Sequence, residues 1–223
     1  MKKRLLIAVS LLLTGKALAQ DQNKKKFEVY GFVQTDYVQD FNRVDKNWKD
    51  TLRPSRIPTK SGAFGQDLQA TLSARQSRFG VQGNLPVDGQ NLYTKLEIDL
   101  FGVGVDEGQT TIRLRHAYGE WKQWLAGQTH SLFMNIDVFP NTIDYWGPNG
   151  MVFLRNPQIR FTPIKGENTF AIAIEKPSDD IDAGQIREIS PDFGDRLQSN
   201  ERMPDITAMY RLQQDWGHFQ ASG

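Results

Sequence analysis

The sequence predicts an all-β protein and, more narrowly, a transmembrane antiparallel β-barrel. Three observations carry this prediction. The first residues have the pattern of an export signal, several later segments alternate between polar and apolar residues, and short connections take turns with long ones. No later segment has the roughly 20 consecutive apolar residues that a membrane-spanning helix needs.

Residues 1–19 are predicted to be a secretory signal peptide. Lys2–Arg4 is positively charged, Leu5–Leu13 is an apolar stretch, and Ala17–Ala19 has the small-residue pattern of a cleavage site. The apolar stretch is too short to span a bilayer, which takes roughly 20 residues as a helix. Residues 20–26 would then form a short N-terminal tail.

Charge and composition exclude several classes of protein. The chain has 27 basic and 26 acidic residues, and four of the basic ones lie in the predicted signal peptide. The remaining 23 against 26 leave a slightly acidic chain, so nucleic acid is not an expected partner. There is no cysteine, hence no disulfide or thiolate metal site. The three histidines are far apart in sequence, and neither a metal nor a cofactor is expected.

The first half of the chain contains three clear strand patterns. Phe27–Tyr37 and Leu68–Gly83 alternate, and the polar stretch between them, residues 39–66, is broken by proline and glycine and predicts an external loop. Leu92–Phe101 alternates most clearly, with Leu, Thr and Ile on one face and Tyr93, Lys95, Glu97 and Asp99 on the other. A period of two over nine residues predicts a strand and not a helix.

Further strands are predicted downstream, which brings the total to about nine. Their centres are Ile112–Arg115, Trp124–Gln128, Val152–Thr162, Phe170–Glu175, Ile206–Leu212 and the segment from His218 onward. In the third of these, Asn156, Gln158 and Arg160 share one face, and Ile159 and Phe161 share the other.

Connection lengths favour a barrel of the outer-membrane type. Such barrels have short periplasmic turns and longer outer loops, with aromatic girdles near the strand ends. The short connections are residues 84–90, 122–123, 163–168 and 214–217, and the long ones are residues 39–66, 102–109, 129–151 and 177–203. The aromatic residues near strand ends include Trp121, Trp124, Phe161 and Trp216.

Nine strands do not close a bacterial single-chain barrel, which normally has an even number. An open strand edge is not tolerated in lipid. Residues 27–223 are therefore expected to be the N-terminal part of a longer barrel, truncated at the end of this sequence.

The predicted polar faces are rich in arginine. They carry Arg78, Arg113, Arg115, Arg160 and Arg211, together with Lys95. Guanidinium groups bind carboxylates in bidentate fashion, and anion-selecting pores are lined by arginine and lysine. We predict an anion-attracting wall formed by Arg78, Arg113, Arg115, Arg160 and Lys95. The alternatives are structural ion pairs with nearby acids and the solvated face of a soluble sheet.

The 129–151 connection is predicted to fold into the lumen as a constriction loop. It combines two acids with several aromatic residues: Asp137, Asp144, Phe139, Tyr145 and Trp146. Acids opposite the arginines would produce a transverse field. An ordinary surface loop is the alternative, although loops of this length are usually functional or disordered. His130, Ser131 and Asp137 lie close in sequence, but there is no G-x-S-x-G motif, and an enzyme is not expected.

The chain resembles the DcaP-like outer-membrane porins from about Phe27 to its end. The resemblance is carried by the segments Ala74–Gly80, Arg113–Glu120, Leu125–Thr129, Asp137–Pro140 and Arg155–Arg160. It implies a sixteen-stranded barrel, a homotrimer in outer-membrane lipid, and passive uptake of small, mostly anionic solutes such as dicarboxylates. It also implies that residues 129–151 are the constriction loop. The chain is too short for the whole barrel, and residues 20–26 are too few for the periplasmic coiled coil of some relatives.

These patterns together predict an outer-membrane porin, a water-filled channel for diffusion without a cofactor or covalent chemistry. The alternative function is that of a soluble periplasmic or surface β-protein that binds a ligand or a partner.

Overall fold

The computed structural model of the chain describes residues 26–45, 58, 61–141, 152–178 and 203–223. The predicted signal peptide and tail, up to residue 25, lie outside the described residues, as do Asp144, Tyr145, Trp146 and most of the 177–203 loop. In the part that is described, no helix has the length and hydropathy for a membrane crossing.

Eleven strands lie along the described residues, and nine of them form one antiparallel sheet. They are β1 (Lys26–Phe32), β2 (Asp36–Gln39), β3 (Ala70–Ser73), β4 (Arg78–Val87), β5 (Gln90–Phe101), β6 (Thr110–Trp121), β7 (Trp124–His130), β8 (Arg155–Ile164), β9 (Thr169–Glu175), β10 (Asp205–Gln214) and β11 (Gly217–Ser222). The sheet order is β1-β4-β5-β6-β7-β8-β9-β10-β11, and β2 and β3 pair separately. The prediction of an all-β, antiparallel fold of about nine strands is confirmed.

Two of the predicted strands are each divided in two. Phe27–Tyr37 becomes β1 and β2, and Leu68–Gly83 becomes β3 and β4. At the break, the Ser77 hydroxyl accepts a hydrogen bond from the Gln34 amide at 3.0 Å and donates one to the Gln34 carbonyl at 3.2 Å. A side chain thus replaces the backbone ladder there, which period-two alternation does not reveal.

The first tight turn is shorter than the predicted connection over residues 84–90. Val87 pairs with Gln90, and only Asp88 and Gly89 lie between them. Both have positive φ, 48° and 69°. Asp-Gly suits this two-residue turn because aspartate tolerates the left-handed region and glycine has no Cβ to clash.

In a soluble protein a sheet buries its apolar face and exposes its polar face, and in this sheet the arrangement is reversed. The outer face, which carries Phe79, Leu96, Ile159, Ile174 and Ile206, is apolar and exposed, with Ile206 at 74% exposure. The inner face carries buried ionisable groups, including Glu97, Asp99, Arg115 and Glu175. A sheet that exposes its apolar side chains and buries its charges matches a barrel whose outer side faces lipid and whose inner side is polar.

Candidate functional site

The chain after β7 turns back over the inner face of the sheet. We call the described part of this connection, residues 131–141, the inner loop. Leu132 is 3% exposed and lies in a cluster with Ala171 and Ala173 of β9, against which Met209 of β10 also packs. Small alanine side chains on β9 leave room for a leucine from the loop, so the apolar contact fixes where the loop lies.

Glu175 of β9 accepts hydrogen bonds from the inner loop and from β10. One of its carboxylate oxygens accepts from the Leu132 backbone amide at 3.0 Å and from the Thr207 hydroxyl at 2.8 Å. Glu175 is 2% exposed at the end of β9. A buried carboxylate needs such donors, because an unsatisfied charge in this position would be costly.

Three further polar contacts attach the inner loop to the last two strands. Asp137 forms an ion pair with Arg211 of β10, with 2.6 Å between Oδ2 and Nη2. The other two involve β11: Asn135 Nδ2 lies 3.0 Å from His218 Nε2, and Gln220 donates to the Met134 carbonyl at 3.0 Å. The inner loop therefore lies against β9, β10 and β11.

A second group of side chains fills the inner face of β5 and β6. Arg113 donates two hydrogen bonds to the Asp99 carboxylate, from Nε to Oδ1 at 2.9 Å and from Nη2 to Oδ2 at 2.6 Å. Arg115 bridges the two acids, donating to Glu97 at 2.6 Å and to Asp99 at 2.9 Å. We call these four residues the ion cluster. Bidentate, charge-assisted hydrogen bonds of this kind are strong and fix the orientation of both partners.

A β-bulge brings His116 to the face of β6 that carries the ion cluster. Glu97 pairs with His116 while the next residue, Ile98, pairs with Leu114, so Arg115 is an extra residue in β6. Arg113 and Arg115 already share a face by alternation, and the extra residue places His116 on that face as well. His116 is also buried, and its Nδ1 lies 3.0 Å from the Thr129 hydroxyl of β7.

The ion cluster extends to β1 through Tyr30. The Tyr30 hydroxyl donates to Glu97 at 2.8 Å, across β4, which lies between the two strands. The ring passes over Gly80, where a Cβ atom would lie 2.4 Å from Tyr30 Cζ. Lys95 Nζ also lies 3.5 Å from Glu97. Glycine is required on β4 because the tyrosine occupies the space of its side chain.

Arg155 lies beside the ion cluster, although the alternation of polar and apolar residues does not place it on the polar face of its strand. It is the first residue of β8, paired with His130 of β7. Its guanidinium group lies 4.7 Å from the ring centre of Phe153, and that ring lies 5.6 Å from the Phe139 ring of the inner loop. Arg155 interacts electrostatically with Asp99, Arg78, Arg113 and Arg115.

The described residues among those predicted from the sequence fall into three places. Arg78, Lys95, Arg113 and Arg115 lie together on the inner face of β4, β5 and β6, whereas Arg160 lies apart on β8. Arg160 donates to Gln158 at 3.0 Å and to the His130 carbonyl at 2.7 Å. Asp137 and Phe139 belong to the inner loop. Asp144, Tyr145 and Trp146 lie outside the described residues, so their predicted roles stay predictions.

Four important residues were absent from the predicted site: Tyr30, Arg155, Glu175 and Gly80. Tyr30 and Gly80 become linked only when the strands pair. Arg155 precedes Asn156 and so falls out of phase with the polar positions of its strand. The sequence feature that could have indicated a role for Glu175 is its position as a single acid at the end of an apolar alternating segment. Among the described residues, no group of three or more His, Asp or Glu could hold a metal ion.

Comparisons with known proteins point to one family. The family model described as DcaP outer membrane protein matches residues 8–196. The chain is also similar to the crystal structure of the outer membrane channel DcaP of Acinetobacter baumannii, with 22% sequence identity and a TM-score of 0.68. The match covers 93% of this chain and 55% of that one, so the chain spans about half the length of the solved channel. No curated protein matches.

Proposed function

The chain belongs to the DcaP outer membrane protein family, and from that premise we propose that it forms part of the wall and the constriction of a diffusion channel for small anionic solutes, dicarboxylates among them. The protein is located in the bacterial outer membrane. Its family is one of outer-membrane proteins and not a class of enzymes. The exposed apolar outer face supports the membrane protein over the alternative of a soluble periplasmic or surface β-protein.

The observation that carries the proposal is the position of the inner loop on the polar face. A connection that packs Leu132 into the wall and pairs Asp137 with Arg211 occupies space that would otherwise belong to the lumen. Loops folded into a barrel in this way narrow the aqueous path. The apolar outer face and the inward loop together fit a channel with a constriction.

The preference for anions is proposed from the charges around the ion cluster. Arg155 interacts electrostatically with Arg78, Arg113 and Arg115, and two acids, Glu97 and Asp99, are paired with Arg113 and Arg115. Four cations against two carboxylates leave a formal charge of +2. Arg160 and Lys95 add to the positive groups on the same face. Such a group raises the local concentration of anions in a confined space.

The proposal is tested by the reversal potential of the full-length protein in a planar bilayer under a KCl gradient. We expect preference for chloride in the wild type and a shift toward potassium in Arg113→Ala plus Arg115→Ala. The shift is expected because Glu97 and Asp99 would remain while two cations are lost. Lys122→Ala, in the exposed turn between β6 and β7, is the control. Unchanged selectivity in the double variant would contradict the role of the two arginines.

The proposed assembly is a homotrimer in outer-membrane lipid, as the resemblance implies. Native mass spectrometry of the detergent-extracted, full-length protein measures it directly. A mass of three subunits is expected, and a mass of one subunit at all concentrations would contradict the trimer.

A further inference from the structure

The arginines on the inner face differ in how far their hydrogen-bonding capacity is already used. Arg113 and Arg115 donate their hydrogen bonds to Glu97 and Asp99. Arg160 donates to Gln158 and to a backbone carbonyl, and Arg211 is paired with Asp137. These four side chains are therefore held by the protein itself.

Arg155 differs from these four side chains. Within the described part of the chain, it forms no ion pair, and its Nη1 atom is shielded from solvent without a hydrogen-bond acceptor. Its neighbours are three other arginines, which repel it, and Asp99, which already binds Arg113 and Arg115. The described residues therefore leave the hydrogen-bonding capacity of this guanidinium group unused.

The position of Arg155 fits contact with a solute. The ring of Phe153 covers one side of the guanidinium group at 4.7 Å, and Phe153 in turn meets Phe139 of the inner loop at 5.6 Å. Arg155 thus lies where the loop and the wall converge. The contact with the ring holds the guanidinium group in orientation, and its Nε and Nη2 atoms, unlike Nη1, are not shielded from solvent, so a planar acceptor can approach them.

We propose that Arg155 is the residue that binds the carboxylate group of a permeating solute, whereas Arg113 and Arg115 supply positive potential and hold Glu97 and Asp99 in the wall. This inference rests on the proposed function and names the contact residue within it. The solute class is that of small carboxylates, because the fork of a guanidinium group matches a carboxylate in bidentate fashion.

The test is block of the chloride current by succinate, measured in planar bilayers with the full-length protein. Arg155→Gln is expected to weaken the block about tenfold or more, since it removes a charge-assisted bidentate contact. Arg155→Lys keeps the positive charge but removes the planar guanidinium group that can donate two parallel hydrogen bonds to a carboxylate. It is expected to preserve the preference for chloride over potassium and to recover only part of the block.

One variant serves as a matched comparison. Lys176→Gln removes one exposed cation at the same end of the sheet, where the Lys176 amide donates to the Pro157 carbonyl. It is expected to leave the block unchanged.

The outcomes separate this inference from the proposed function. A block within about twofold of the wild type in Arg155→Gln would overturn the role of Arg155, and so would full recovery of the block by Arg155→Lys. A wild-type channel that prefers potassium would overturn the proposed function itself. If Arg155→Gln does not fold, Arg155→Lys decides alone, because a loss of block with chloride preference retained is expected only when the fork contacts the solute.

Discussion

Asp137 of the inner loop and Arg211 of β10 form an ion pair, with 2.6 Å between the carboxylate and the guanidinium group. The pair is partly exposed, at 47% for the aspartate side chain and 26% for the arginine. It lies at one end of a series of contacts that begins with buried Leu132. The buried contacts hold the start of the loop, and the ion pair limits how far its middle moves.

Asp137→Asn is expected to loosen the inner loop without releasing it. A partly exposed ion pair contributes about 1 kcal/mol or less, which corresponds to about a fivefold change in the ratio of attached to detached loop. Single-channel recordings should show more open-channel noise. Asp215→Asn, which removes an exposed acid from the turn after β10, is the control. Equal noise in both variants would show that the pair does not restrain the loop.

Leu132→Ala is expected to release the loop more fully. Truncating a buried leucine destabilises its packing by about 2–5 kcal/mol, and here the loss falls on the contact with Ala171 and Ala173. Limited proteolysis of the folded protein should then cut within the inner loop. Val138→Ala, at an exposed position of the same loop, is the matched control. Resistance of Leu132→Ala to proteolysis, equal to that of the control, would count against this anchor.

Gly80→Ala is expected to destabilise the nine-stranded sheet by about 1–3 kcal/mol, because the added methyl group overlaps the Tyr30 ring. Urea unfolding of the reconstituted protein, followed by tryptophan fluorescence, measures the effect. Tyr30→Ala combined with Gly80→Ala should cost less than the two single changes added together. Gly166→Ala is the control, since nothing lies within 4 Å of its Cβ position. Additive effects would argue against the contact across β4.

Arg115→Gln is expected to destabilise the protein by about 3–5 kcal/mol, because it leaves Glu97 and Asp99 buried with too few cations. Adding Glu97→Gln to Arg115→Gln should restore part of the loss, since the unpaired charge disappears. Arg43→Gln removes a more exposed pair with Asp67, at 3.6 Å, and should cost about 1 kcal/mol or less. Equal losses for the two arginines, again from urea unfolding, would refute the structural role of Arg115.

Much of the wall could be predicted from alternation alone. A period of two places Arg113 with Arg115, and Asn156 with Gln158 and Arg160, on one face of a strand whatever its neighbours are. The signal-like N-terminus and the alternation of short and long connections predicted the membrane and the barrel class. Both kinds of observation are local, so a single sequence contains them.

The partners of these residues could not be predicted in the same way. Tyr30 reaches Glu97 only because β1 and β5 lie on either side of β4 and because Gly80 leaves space between them. Arg155 falls out of phase with its strand, so the pattern assigned it no role. The bulge at Arg115 changes the phase of β6 and brings His116 to the inner face.

The sequence by itself determined which residues can share a face, which segments are strands, and that arginine dominates the polar side, because these properties depend on the backbone period and on composition. The tertiary structure decided which charges neutralise one another, where the inner loop lies, and that Arg155 has no ion pair among the described residues. Those outcomes depend on strand register and on contacts between residues tens of positions apart, such as Asp137 with Arg211 and Leu132 with Glu175. No local pattern encodes such contacts.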